Sequence, residues 1–105
     1  MSNKKLFQIL LPLYGSNGKP VAVRHFSELR AELTEHFGGL TTYSRTPAKG
    51  RWKDPDDDLK VDEIIVYEVM AEKRDLKYWK ILKTTLEKQF DQKEILIRSF
   101  DIATI

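Results

Sequence analysis

Apolar residues fill both alternations of the segment from Leu6 to Tyr14. Phe7, Ile9, Leu11 and Leu13 fall on one side of an extended chain, and Leu6, Leu10 and Pro12 on the other. Gln8 is the lone polar member, and a strand apolar on both faces is usually covered on both. Gly15-Ser16-Asn17-Gly18-Lys19-Pro20 is a turn cluster that lacks the spacing of a Walker or dinucleotide loop, so it reads as a connector. The period then changes. Phe26, Leu29, Leu33 and Phe37 recur at three- and four-residue spacing, which predicts a helix from about Val23 to Phe37. Gly38-Gly39 after it fits a left-handed C-terminal cap.

Leu40 to Ser44 reads as a second strand, with Thr41, Thr42 and Tyr43 suited to a pleated surface. Pro47 and Gly50 interrupt it, and Arg51-Trp52-Lys53 reads as its resumption before the acidic turn Asp54-Pro55-Asp56-Asp57-Asp58. Ile64 to Met70 is a third strand, apolar on both faces apart from Glu68. Trp79, Leu82, Leu86 and Phe90 predict a second helix from about Leu76 to Phe90, with Lys77, Lys80, Lys83 and Lys88 away from that stripe. A last strand is expected from Glu94 to Ile102.

The order strand–helix–strand–strand–helix–strand fits the ferredoxin-like split motif. It makes residues 1–105 a single α+β domain, with a four-stranded antiparallel sheet and both helices on one face. The other face is then uncovered, although the first and third strands carry large aliphatic residues on both sides. An exposed apolar sheet face marks an interface, so a homo-oligomer is expected.

Composition narrows the function mainly by exclusion. The 105 residues carry 18 basic and 16 acidic side chains, a net charge of +2, too balanced to suggest nucleic acid as a partner. No apolar run approaches the length of a membrane span, and no membrane partner is expected. Met1 to Lys5 leads into a strand without a small-residue cleavage site, so no signal peptide and a cytoplasmic location are expected. The absence of cysteine excludes disulfides, thiol nucleophiles and cysteine zinc sites.

Candidate chemistry is sparse. Four aspartates between Asp54 and Asp58 lack the glycine and distal glutamate of an EF-hand, and read as a solvated turn near Lys49, Arg51 and Lys53. His25 and His36 lie near the two ends of one helix without a third ligand, and no metal is expected there. His36 has a helix-dipole explanation. The polar groups left for a site are Tyr43, Trp52, Glu63, Glu68 and Gln92. Each has a structural reading beside a functional one. Glu68 can lie on a sheet edge or pair with Arg98, Gln92 can satisfy loop backbone, and Trp52 can anchor a hairpin.

Gly39-Leu40-Thr41, Gly50-x-Trp52 and Phe90-x-Gln92 together resemble a small bacterial domain family of unknown function. The same skeleton is similar to the phage-type S-adenosylmethionine lyases. Those have a glycine, an aromatic residue two positions later, and a glutamate eleven beyond the aromatic, just before the third strand. Trp52 and Glu63 are eleven positions apart, and Phe90-Asp91-Gln92 matches the family's aromatic-x-glutamine at the second helix's end. The likeness runs from about Leu6 to Ser99, with one departure: the lyase aromatic is a tyrosine, and Trp52 has no phenol.

This resemblance implies a lyase acting on S-adenosylmethionine or a nucleotide-extended (adenylylated) derivative, SAM-AMP. The substrate's own carboxylate displaces the sulfonium, giving methylthioadenosine, or its adenylylated form, and homoserine lactone. Neither protein nucleophile nor cofactor is then required. Glu63 and Gln92 take the catalytic places, and Trp52, Tyr43 and Glu68 the substrate-binding ones, at a site between the subunits of a homotrimer. A non-catalytic oligomeric binding module of the same fold is the alternative, since ferredoxin-like domains host many functions. A dimeric barrel enzyme of the monooxygenase or isomerase kind is disfavoured because neither histidine lies on a strand.

Overall fold

Six elements follow in the expected order in the computed structural model, which describes residues 2–45 and 64–105. They are β1 (Ser2–Pro12), α1 (Val23–Phe37), β2 (Thr41–Arg45), β3 (Ile64–Ala71), α2 (Leu76–Gln89) and β4 (Leu96–Thr104). The strands form one antiparallel sheet in the order β2-β3-β1-β4. This is the α+β, ferredoxin-like arrangement that the alternation of periods predicts.

Two strand starts differ from the sequence reading by two residues or more. β1 begins at Ser2 rather than Leu6 because its polar start still has a ladder to join: Lys5 lies opposite Asp101 and its Nζ reaches Asp101 Oδ1 at 2.6 Å. β4 begins at Leu96 rather than Glu94 because the chain before it is tied to α2. The Ile95 amide donates to Glu87 Oε2 at 2.9 Å, and Lys83 Nζ donates to the Ile95 carbonyl. The helix boundaries agree more closely. Gly38 closes α1 in the left-handed region at φ 80°, its N–H donating to Thr34 O at 2.8 Å, as the Gly-Gly signal implied. Asp75 caps α2, with Oδ1 accepting from the Tyr78 N–H.

Alternation along the strands sorts the sheet into two unlike faces. Phe7, Ile9 and Leu11 of β1 and Tyr67, Val69 and Ala71 of β3 are buried in one cluster with Phe26, Leu29 and Leu33 of α1 and Trp79 and Leu86 of α2. Within it the Phe7 and Trp79 rings stack at 4.2 Å, and Phe26 meets Phe90 edge-on at 5.0 Å. The intervening strand residues lie on the opposite face. There Leu6 pairs with Met70 and Phe100, and Leu10 pairs with Val66 and Leu96. None of these belongs to the helix-side cluster, and Met70, Leu96 and Phe100 are 43–51% exposed. Val66 on that face is buried, so among the described residues the apolar face is exposed mainly at Met70, Leu96 and Phe100.

A loop-to-loop clamp fixes one end of the sheet. Ser16 N–H donates to Asp91 O at 2.8 Å, and Asn17 N–H to Asp91 Oδ2 at 3.1 Å. Asp91 holds φ 51°, a left-handed conformation that aspartate tolerates better than most residues. A Cβ on Gly15 would stand 3.0 Å from the Asp91 Cβ, so a side chain there would push Asp91 aside by a few tenths of an ångström.

Candidate functional site: a polar row across the open sheet face

One lateral row of the sheet is polar from edge to edge. Thr41 of β2 lies opposite Glu68 of β3, Glu68 opposite Gln8 of β1, and Gln8 opposite Arg98 of β4. Arg98 Nε donates to Gln8 Oε1 at 2.9 Å, and Gln8 Nε2 donates to Glu68 Oε1 at 2.8 Å. The orientation of the Gln8 amide follows from its neighbours: guanidinium can only donate, and ionised carboxylate can only accept. Tyr43 reaches in from the next row of β2. Its hydroxyl accepts from Gln8 Nε2 at 2.9 Å and donates to Glu68 Oε1 at 3.3 Å.

Gln8 therefore joins a cation to an anion on adjoining strands, and each hydrogen bond along the row is to a charged group at one end. Such bonds are roughly twice as strong as neutral ones. The row is bracketed by apolar rows. Phe100, Leu6 and Met70 lie to one side, and Leu96, Leu10 and Val66 to the other. Arg98 also stands 5.7 Å from the Phe100 ring centroid, within cation–π range. Beside Glu68, at the end of β2, opens a cavity of roughly 350 Å³ lined by Lys4, Leu6, Gly39, Thr41, Glu68 and Met70, among others.

The five expected site residues separate into three groups. Tyr43 and Glu68 are brought together by a direct hydrogen bond. Gln92 makes other contacts: its Nε2 donates to Tyr14 O at 2.9 Å and to Phe90 O at 3.3 Å, tying the loop that follows β1 to the end of α2. Trp52 and Glu63 lie outside the described residues, as do the Asp54–Asp58 turn and the basic residues beside it.

Glu68 occupies neither position expected of it as a structural residue. β3 is an interior strand, so Glu68 is not at the edge, and its link to Arg98 passes through Gln8 rather than directly. Gln8 is the member that the sequence argument left out of the site. Its signal was available, since it is the lone polar residue in an apolar strand. Its opposition to Glu68 depends on strand register, which the sequence pattern does not give.

Other features bear less on chemistry. A cavity of roughly 440 Å³ between the helices is lined mainly by apolar residues, including Leu29, Ile81, Leu82 and Leu86. Of its polar residues, Tyr78 and Glu32 are paired with each other, hydroxyl to Oε2 at 2.8 Å, and Glu28, Thr85 and Gln89 complete the lining. Burial first, and then that hydrogen bond, push the Tyr78 phenol up and away from acid–base work near neutrality. His36 stacks on Tyr78 at 4.1 Å. Among the described residues no group of three or more His, Asp or Glu is placed to hold a metal, and no helix is long and apolar enough to cross a membrane. No family model matches the chain, and comparison with curated proteins and with solved structures gives no match either.

Proposed function

We propose that this chain is a carbon–sulfur lyase for a sulfonium nucleoside of the S-adenosylmethionine class. Its site would be completed when copies associate, as a trimer, through the open sheet face. The observation that carries the reading is the partly buried Glu68 carboxylate, held by Gln8 and the Tyr43 phenol between two apolar rows. The sequence resemblance supplies the reaction class, and Tyr43 supplies a phenol that Trp52 lacks.

The reaction asks little of the protein. An oxygen of the substrate carboxylate attacks the carbon bearing sulfur, a C–O bond forms, and the C–S bond breaks with its electron pair moving to sulfur. The products are a neutral thioether and a lactone, and no proton is transferred. Two opposite charges disappear, so exclusion of water favours the step, and orientation of the reacting groups supplies much of the rest. Apolar rows beneath a second copy are suited to that exclusion.

The same charge balance decides what Glu68 does. A carboxylate set against the sulfonium would stabilise the ground state, because that charge is lost in the transition state. The substrate ammonium keeps its charge throughout, so Glu68 is assigned to the ammonium, where it orients the attacking carboxylate. Incubation with S-adenosylmethionine and with its adenylylated form, followed by chromatography for methylthioadenosine or its adenylylated counterpart, tests the activity. Absence of both products would leave the non-catalytic binding module as the reading of this face.

A further inference from the structure

Asn17-Gly18, in the loop after β1, carries a chemistry that the sheet face does not use. Glycine puts no Cβ beside its own nitrogen, so that nitrogen can approach the side-chain carbonyl of a preceding asparagine. Asn17 is exposed, and its side chain is already folded back along the chain, with Oδ1 accepting from the Lys19 N–H at 2.9 Å. This turn brings the Asn17 amide carbon toward the Gly18 nitrogen. It also sets the Lys19 N–H where negative charge would gather on Oδ1 during attack. The Gly18 N–H donates to Gly15 O at 2.9 Å, a bond that must open first. Asn3, the chain's other asparagine, precedes Lys4 and lies in the extended β1 ladder opposite Ala103.

We infer that Asn17 is a site of spontaneous deamidation whose product loosens the clamp between the loop after β1 and the end of α2. The Gly18 nitrogen attacks Asn17 Cγ and gives its proton to water as the new C–N bond forms. The Cγ–Nδ2 bond then breaks with its electron pair moving to nitrogen, which takes up a proton and leaves as ammonia. Water opens the cyclic imide at either carbonyl, giving aspartate or isoaspartate. One water is consumed and one ammonia released, with no change of oxidation state. Either product puts a carboxylate where an amide stood. A Cβ on Gly15 would stand 3.0 Å from Asn17 Oδ1 and 3.1 Å from Asp91 Oδ2, so both side chains crowd the same point. The new charge therefore meets that of Asp91, the residue that receives the Asn17 N–H and closes the clamp. The Lys19 hydrogen bond is present before and after, whereas the repulsion is new, so the repulsion decides the sign. Isoaspartate also adds a main-chain carbon within a turn closed by Gly15 N–H to Lys19 O at 2.8 Å. None of this chemistry depends on the lyase reading.

Ageing the native chain in mildly alkaline buffer, followed by peptide mass mapping and isoaspartate detection, tests the site. Asn17 should convert while Asn3 stays intact. Conversion of both at equal rates, or of neither, would overturn the assignment. Asn17→Asp should lower the melting temperature by roughly 4 °C or more, a shift readily measured in a domain of this size. Asp91→Asn can still accept from the Asn17 N–H and tolerates the same left-handed backbone, so in that background most of the shift should vanish. An Asn17→Asp melt equal to the native one, or a shift that persists beside Asp91→Asn, would show that the new charge does not loosen the clamp. Fresh and fully aged native chain give the same comparison without a substitution, and identical melts there would overturn the loosening as well.

Discussion

Gln8 Nε2 donates to Glu68 Oε1 at 2.8 Å across the β1–β3 register, and this contact turns two isolated polar residues into one continuous row. Removing the amide leaves Arg98 without its partner in the row and Glu68 with the Tyr43 hydroxyl alone, in a partly buried setting. Gln8→Leu, which keeps most of the volume, should therefore destabilise the fold by about 1–3 kcal/mol. Urea denaturation should show a lower midpoint with an unchanged slope, the mark of lost stability without altered compactness. A midpoint equal to that of the native chain would mean that water serves the two charges as well as Gln8 does.

Glu68→Gln probes the assignment of the carboxylate to the substrate ammonium. An interaction equally strong in ground and transition states raises KM when lost and leaves kcat nearly unchanged. The variant is expected to raise KM by roughly tenfold or more, on the scale of a hydrogen bond to a charged group. A fall in kcat with KM unaltered would instead assign Glu68 to charge that develops during the reaction.

The open face gives a prediction about assembly. Phe100 and Met70 on one side of the polar row, with Leu96 on the other, offer apolar surface to a second copy. Light scattering at micromolar concentration should give a mass near three times 12.3 kDa. Met70→Lys with Phe100→Glu should shift it toward a single chain, because charges placed on a buried interface are strongly opposed. A native mass of 12.3 kDa would remove the shared site.

Gln92 is bound to the loop carbonyls of Tyr14 and Phe90, so its first effect should be on stability. Gln92→Ala should lower stability by about 1 kcal/mol, in the range of an ordinary hydrogen bond. A melt matched with a product assay measures both consequences. An unchanged melt with lost turnover would return Gln92 to the catalytic place that the family resemblance gives it.

Most of the fold was legible because each strand and helix announces its period locally. Phe26, Leu29, Leu33 and Phe37 face one way for the same reason that they are spaced by three and four. The Gly38 cap and the doubly apolar β1 and β3 followed directly. The β4 start was misplaced because Glu94 and Ile95 look strand-like until Glu87 and Lys83 of α2 claim the Ile95 backbone. Tyr43 and Glu68 could be named from the sequence, but their contact depends on register. Gln8 was harder, since a single polar residue in a strand reveals its meaning only through what lies beside it.

The same Ile95 tie yields a prediction for acid. The amide of Ile95 first, and then Lys83, hold the Glu87 carboxyl below its ordinary value. A carboxyl whose pKa is lower in the folded chain than in the unfolded one adds stability above the unfolded value, and that stability is lost as the pH falls through the folded one. The window therefore opens at about 4.5 and extends downward. The Glu87 side chain is partly buried beside the more accessible Lys83, so salt should weaken the Lys83 part of the effect more than the hydrogen bond to Ile95. Glu87→Gln can still accept from the Ile95 amide but cannot titrate. Melts of the native chain and of this variant should diverge near neutral pH, with the native chain more stable, and converge as the pH falls from about 4.5 downward. Parallel curves across the whole range would show that the Glu87 charge does not secure the start of β4.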